Sequence, residues 1–313
     1  MSKKLLAAAI AAGATYAGIS FLTFYEVTKK NARIPGYATK IFNKKHGIVG
    51  EGKPDERVEW FRAQDRDTFE IVNSRGQNIR AYLIPADEPS DKFIVCSHGY
   101  RNRGQGEFRF VGKFLHDCGY NVFFVDHQAA GESEGNYISF GHYESEDLLQ
   151  WVNFIVDKFG KDVKIALYGI SMGSATVMLM SNNENLPENV KCIVADCGYT
   201  SVNDEFTFTL DTFGVPGKPL IFMANQFSKA IGKWDFDKVR PIDAVKDAKV
   251  PMLFIHGEND DFVPSFMGCK LYNACGNEKD YLTVPGAGHA QSYQTDSALY
   301  EAKMTDFFEK YFK

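Results

Sequence analysis

Three kinds of side chain stand in settings that could break an acyl bond: one serine, one histidine and a pair of carboxylates. Ser171 lies in Gly169-Ile-Ser-Met-Gly173, after the apolar run 163–168 and before the helix-like run 174–180. Strand, sharp turn and helix in that succession would push the serine Oγ out of the sheet edge. Glycine on both sides removes the Cβ atoms that would collide with the neighbouring strand and helix. The first turn of the helix leaves backbone N–H groups that stabilise negative charge beside the serine. A plain strand-to-helix turn is the bland alternative, since glycine and serine are common in loops.

A serine hydroxyl is a poor nucleophile at neutral pH and needs a base in hydrogen-bond reach, held in turn by a carboxylate. Of seven histidines, His289 in Pro285-Gly-Ala-Gly-His-Ala290 is the best base, because a glycine-rich loop after the last strand can reach across to the serine. His98 and His256 each open a His-Gly pair at a strand end and read as turn-shaping residues. For the acid, the stretch 256–264 offers Asp260 and Asp261, and spacing alone does not choose between them. Asp196 is a rival, and Asp126 reads as a carboxylate that organises its own loop.

The elements that must position these groups alternate along the chain. Strand-like runs cover 58–62, 68–72 and 78–84, the last two joined by the turn Ser74-Arg-Gly-Gln77, as an antiparallel edge. Short, largely apolar runs at 92–97, 121–125, 163–168, 190–195 and 250–255 read as central strands of a parallel sheet, with a last strand at 280–284. Helix-like stretches lie between them at 107–118, 143–158 and 174–180, and further helices are expected near 265–275 and from 292. In 143–158, Leu148, Leu149, Val152, Ile155 and Val156 recur at helical spacing. Strand alternating with helix implies a mostly parallel, doubly wound α/β sheet with helices on both faces, and its reactive groups gather at the carboxyl ends of the strands. Residues 200–240 break the rhythm with Phe206, Phe208, Phe213, Phe222, Phe227, Trp234 and Phe236, and read as a small helical cap inserted over the sheet edge.

In motif order the chain resembles the α/β-hydrolases over roughly residues 65–313. Gly169-Ile-Ser171-Met-Gly173 is similar to that family's nucleophile elbow, and Gly288-His289 to its histidine loop. His256-Gly-x-x-Asp260-x-x-Val263-Pro264 resembles the acid loop, which puts the family's aspartate on Asp260. His98-Gly99 resembles the oxyanion loop and implies the backbone N–H groups of Tyr100 and Met172 as the hole. The branch it looks most like is that of the serine-aminopeptidase-like and monoglyceride-lipase-like hydrolases, including bacterial members with an N-terminal hydrophobic segment. It departs from that branch at Asp126-His-Gln-Ala-Ala-Gly131-Glu-Ser133, where an arginine and a glycine are missing. The resemblance implies an ester-cleaving serine hydrolase working through Ser171, His289 and Asp260 without metal or organic cofactor. The alternatives are an aminopeptidase-like serine peptidase on the same residues, which would need a carboxylate for the substrate ammonium, and a non-catalytic, membrane-tethered binding protein.

Of 313 residues, 44% are hydrophobic and 24% charged, which supports a packed core in one large domain. A net charge of −5 provides no basic footprint for nucleic acid. The six cysteines form no C-x-x-C pair and no zinc-like spacing with histidine, so reduced thiols are expected. The aromatics of 200–240 point to an apolar acyl substrate, and nothing in the chain speaks to oligomeric state. Leu5–Tyr25 carries no charge and is long enough to span a bilayer as a helix. Residues 1–28 are therefore expected to form a single-pass membrane anchor, 29–55 a connector and 56–313 the catalytic domain. Lysines and arginines after the apolar run favour the cytoplasmic side for that domain. A cleaved signal peptide, with Ala12-Gly-Ala14 as its site, and a packed helix are the rivals.

Overall fold

The computed structural model describes residues 3–30, 55–215 and 217–313, with side chains from residue 15 onward. The expected connector 29–55 lies almost wholly outside the described residues.

After the N-terminal helix α1 (Lys3–Thr28), a short helix α2 (Glu56–Ala63) occupies the first stretch that reads as a strand. Two local features explain the difference. Asp55 accepts from the Arg57 amide at 2.9 Å as an N-cap, and the buried residues Val58 and Phe61 are three apart, on one helical face.

Next come β1 (Asp67–Val72) and β2 (Asn78–Ile84), then β3 (Lys92–Ser97), the short helices α3 (Gly104–Glu107) and α4 (Gly112–Asp117), and β4 (Asn121–Asp126). The long helix α5 (His142–Phe159) leads to β5 (Lys164–Ile170), α6 (Met172–Met180) and β6 (Val190–Asp196). Between β6 and β7 the chain runs through α7 (Val202–Thr212), α8 (Gly217–Phe227), shorter turns and α9 (Pro241–Ala244). It closes with β7 (Met252–Gly257), α10 (Ser265–Ala274), β8 (Lys279–Val284), α11 (Ser292–Thr295) and α12 (Ser297–Tyr311).

The eight strands form one sheet in the order β1-β2-β4-β3-β5-β6-β7-β8. β1 and β2 are antiparallel at one edge, and β4 through β8 with β3 run parallel. This is the α/β-hydrolase architecture that the motif order implies. Alternation sorts the side chains between two cores: in β4, Val122 and Phe124 face one and Phe123 and Val125 the other. Leu148, Trp151, Val152 and Ile155 of α5 cover the second face, and Tyr300, Met304, Phe307 and Phe308 of α12 the first. Strand order reverses at β3, which pairs with both β4 and β5, so the ends of β3 and β5 open a crevice side by side.

The expectation of a membrane anchor has to be corrected. Among the described residues no helix is long and apolar enough to cross a membrane, so the single-pass anchor and the cytoplasmic placement built on it fall. Part of the apolar surface at the end of α1 is spent on the protein itself, chiefly through Phe24. Phe24 is fully buried, 5.9 Å from the Tyr137 ring and 6.5 Å from Phe227, and Phe21 meets Phe227 edge-on at 5.3 Å. Ser20 and Thr28 of the same helix are buried as well.

One buried network away from the serine turn is open to test. Tyr300 Oη donates to Asp196 Oδ2 at 3.0 Å and lies 2.8 Å from Tyr168 Oη. Tyr300→Phe strips both partners of a buried hydrogen bond and is expected to cost about 1–3 kcal/mol of stability. Urea unfolding of the variant beside wild type measures the loss, and the folded fraction should keep its activity.

Candidate active site

Register alone brings the serine turn to the loop that follows β3. Ser97 pairs with Gly169 across the two central strands, so both chains leave the sheet together. The approach is too close for side chains: a Cβ on Gly173 would lie 1.8 Å from the Ser97 carbonyl oxygen, and one on Gly169 would lie 2.2 Å from the Gly173 carbonyl oxygen. Ser171 sits between them at φ 57° and ψ −116°, a left-handed conformation that a non-glycine residue adopts only at a cost. Its amide donates to the Asp196 carbonyl at 2.9 Å, and its own carbonyl accepts from Ala175 at 3.1 Å, tying the turn to β6 and to α6.

The loop after β8 carries His289 over this turn. His289 Nε2 is 2.9 Å from Ser171 Oγ, and Nδ1 is 2.8 Å from Asp260 Oδ2. Asp260 also accepts through Oδ1 from the amides of Phe262 (3.1 Å) and Val263 (2.9 Å), so the carboxylate is fixed by its own loop. Burial works against its charge, but the imidazoles of His289 and His256, by charge and by hydrogen bond, hold its pKa well below the usual carboxylate range. An ionised Asp260 can only accept. His289 Nδ1 therefore donates, and Nε2 is left as the acceptor that faces the hydroxyl. Burial likewise opposes protonation of His289, yet Asp260, with Glu205 and Glu107 behind it, raises its pKa above the ordinary histidine value.

The remaining carboxylates at the strand ends do other work. Asp196 accepts from Ser292 Oγ at 3.2 Å and from Tyr300, and burial pushes its pKa up to about 6. Asp126 accepts from the amides of Gly104 (2.9 Å) and Glu132 (3.1 Å) and ties the loop after β4. Of the two carboxylates that spacing leaves open, Asp260 is the one on the imidazole.

His98 shapes the loop after β3. The His127 amide donates to His98 Nε2 at 3.1 Å, so the ring proton is on Nδ1, which donates to the Gly99 carbonyl at 2.8 Å. Burial lowers the pKa of both His98 and His127, and the pair is neutral. Glu107, a residue that sequence reasoning missed, accepts from the Gly99 amide at 3.2 Å. No spacing rule marks it, because its partner is a backbone group eight residues away. Tyr100 follows, its ring stacked on Phe140 at 5.3 Å and its amide donating to no group among the described residues. Met172 opens α6, so its N–H is one of the first-turn donors that have no intrahelical partner.

Cys197 Sγ, an Asp260 oxygen and a His289 nitrogen lie within 4.8 Å of one another. As a donor set they fit a metal poorly: burial pushes the Cys197 thiol pKa well up, which keeps its proton on, and the other two atoms are engaged with each other. All six cysteines are free thiols.

A family model for the prolyl oligopeptidase family (peptidase S9) matches residues 107–313. The chain belongs to the prolyl oligopeptidase family. Membership makes it a serine hydrolase of the α/β class, acting on ester or amide bonds. Among relatives, it is 27% identical over 252 residues to the uncharacterized protein YqkD of Bacillus subtilis, covering 80% of this chain and 82% of that one. It is 24% identical over 189 residues to the lysophosphatidylserine lipase ABHD12 of Xenopus tropicalis, covering 58% of this chain and 46% of that one. Among solved structures, the Pyrococcus furiosus esterase Pf2001 superposes with a TM-score of 0.65 at 22% identity, over 84% of this chain and 96% of that one. The acylaminoacyl peptidase of Pyrococcus horikoshii superposes with a TM-score of 0.62 at 16% identity, over 82% of this chain and 43% of that one.

Over the site of this prolyl oligopeptidase family member sit α7, α8 and the turns after them. Phe140 meets Phe206 edge-on at 4.9 Å and lies 6.0 Å from Trp234, while Met172, Ala175, Ile221 and Phe24 join the same apolar cluster. Glu205 of α7 is the polar exception: it is buried, and its Oε2 has no hydrogen-bond partner among the described residues. Burial pushes its pKa up to about 8, against the pull of His289.

The charge balance at His289 sets a pH expectation. A base must be neutral to act, and a raised pKa delays that state as pH rises, so the acid limb of kcat/KM should have its midpoint above about 6.5. In Asp260→Asn the imidazolium loses its stabilising charge and burial remains. The limb should then move to lower pH while kcat falls by about 10⁴-fold. Rate profiles from pH 5 to 9 on wild type and variant read both effects.

Proposed function

We propose that the chain is a carboxylesterase-like enzyme that cleaves esters with an apolar acyl group through an acyl-enzyme on Ser171. The observation that carries this reading is the hydrogen-bonded line from Ser171 Oγ through His289 to Asp260 beneath an aromatic cover. In the reaction, Ser171 Oγ forms a bond to the ester carbonyl carbon as its proton passes to His289 Nε2. Asp260 stabilises the imidazolium and keeps the tautomer. The carbonyl electron pair moves onto oxygen, where the N–H groups of Tyr100 and Met172 would hold it, a contribution of about 10²–10³ in rate for each donor.

The pair then returns, the C–O bond to the leaving alcohol breaks, and His289 supplies its proton. Water repeats the sequence on the acyl-enzyme: its proton goes to His289, its oxygen bonds to carbon, and Ser171 Oγ leaves with that proton. Phe140, Phe206 and Trp234 supply the apolar surroundings that favour a hydrocarbon acyl chain over a polar one.

Glu205 favours a second, narrower reading in which the acyl group carries an amine, as in an aminoacyl ester or amide. A buried carboxyl with an unpartnered oxygen near His289 is suited to pair with a substrate ammonium, which would draw the proton off it.

Ser171→Ala should lower kcat on a p-nitrophenyl acyl ester by at least about 10⁴-fold, because the three side chains act as a unit. It should also abolish labelling by a fluorophosphonate, and residual turnover within tenfold of wild type would refute the assignment. The two substrate readings separate on matched esters with free and acetylated amines. If an amine is recognised, Glu205→Gln should lose about tenfold or more in kcat/KM on the free-amine ester alone. If a simple apolar acyl group is preferred, activity should rise with acyl length and the variant should treat both esters alike.

A further inference from the structure

The end of α1 lies against the loop after β3, and the way its backbone is satisfied is unusual. The last carbonyls of a helix have no intrahelical donor and need partners from elsewhere. Here three successive ones are met by residues that border the serine turn. The Glu26 carbonyl accepts from the Arg101 guanidinium, the Val27 carbonyl from Tyr100 Oη at 2.7 Å, and the Thr28 carbonyl from the Ile138 amide at 2.7 Å. The Lys30 amide, which would have continued the helix onto Glu26, instead donates to the Asn136 carbonyl at 3.0 Å, and Lys29 bridges to Tyr137. The last turn of α1 has no basic residue of its own, so Arg101 supplies from across space the cation that a helix C-terminus favours.

These bonds converge on one short segment. Tyr100 is gripped at its hydroxyl by Val27 and at its ring by Phe140, and the next residue, Arg101, sits at φ 56°, a conformation a non-glycine residue needs help to keep. Phe24, fully buried one turn earlier, seats the helix end between Tyr137 and Phe227. From this arrangement we propose that residues 24–30 are a positioning element of the active site. They hold residues 100 and 101 so that the Tyr100 amide points at the developing oxyanion. The proposal rests on the reading of Tyr100 as an oxyanion donor. It makes the N-terminal helix a working part of the hydrolase, in which Tyr100 acts by its backbone and Val27, Glu26 and Phe24 act through it.

The test compares full-length wild type with Tyr100→Phe, which removes only the hydroxyl, and with Phe24→Ala, which loosens the seat of the helix. Each is assayed on a p-nitrophenyl ester and titrated with a trifluoromethyl ketone, whose adduct with a serine carries the same oxyanion as the reaction. A donor held slightly out of place should lower kcat by about 10- to 100-fold with KM within threefold, less than outright loss of the donor. The affinity for the ketone should fall by the same factor as kcat, with the circular dichroism spectrum unchanged. Wild-type kcat in both variants overturns the proposal, as does a loss of kcat with ketone affinity intact, which would mark a purely structural role. A wild-type protein that neither turns over esters nor reacts with a fluorophosphonate would instead defeat the underlying hydrolase reading.

Discussion

Everything at this site depends on how closely two backbones approach where β3 and β5 end. With the Gly173 Cα set against the Ser97 and His98 carbonyls, no residue larger than glycine fits, and the serine between the glycines is forced into left-handed geometry. That geometry points Oγ away from the sheet and starts α6 at once, so the hydroxyl and the first helical N–H groups emerge at the same place. The strain is held by bonds on both sides, from the Ser171 amide to β6 and from its carbonyl into α6. The outward placement of the Ser171 hydroxyl is therefore a consequence of sheet register before it is a consequence of its neighbours.

Around that fixed point three carboxylates face one imidazole. Asp260 and Glu205 are buried and Glu107 half-buried near one imidazole, and all three carboxylates raise its pKa. Asp260 is satisfied by two amides and by the imidazole, and stays ionised. Glu107 has a backbone amide and the Asn102 side chain. Among the described residues Glu205 has only Thr209, at 3.1 Å to its Oε1, and so is the carboxyl whose charge state is most open to change by whatever enters the site. Three acids of unequal satisfaction give one strong tether for the histidine, one brace for the loop after β3, and one carboxyl with an oxygen unpartnered among the described residues.

Much of this was legible in the sequence, and the reason is local. Gly-x-Ser-x-Gly, the histidine loop and the two-carboxylate loop each report the backbone of a few consecutive residues, and the apolar runs report central strands by length alone. What spacing could not do was choose Asp260 over Asp261, since that depends on which carboxyl the amides of Phe262 and Val263 turn inward. The stretch 58–62 reads as a strand because its apolar residues are few and its cap lies outside the run, at Asp55. Residues 5–25 read as a span because hydropathy counts apolar side chains without saying what covers them. Phe24 is covered by Tyr137 and Phe227, more than a hundred positions away, and no window along the chain contains that contact. Glu205 was missed for the same cause, since the imidazole it faces lies far along the chain, and Glu107 because its partner is a backbone amide that no side-chain pattern marks.

The same long-range packing explains why an N-terminal segment and an insertion between β6 and β7 belong to one apolar cluster. Phe24, Phe140, Met172, Ile221 and Trp234 come from five separate stretches of chain, and each lies at the carboxyl ends of the strands. The sheet cannot cover its own strand ends, because the loops there carry polar groups, Ser171, Asp260 and His289 among them. Burying each large side chain there is worth about 1.5–3 kcal/mol. Those contributions bring the two helices together over the serine, and Ser171, at 7% exposure, is nearly sealed by them. Exclusion of water then follows from packing that stabilises the cover, and the same contacts that hold α1 in place set the low-dielectric surroundings in which His289 and the three acids act. Stability of the cover and the sealed setting of Ser171 are thus two outcomes of a single cluster, and a substitution that loosens Phe24 or Trp234 alters both together.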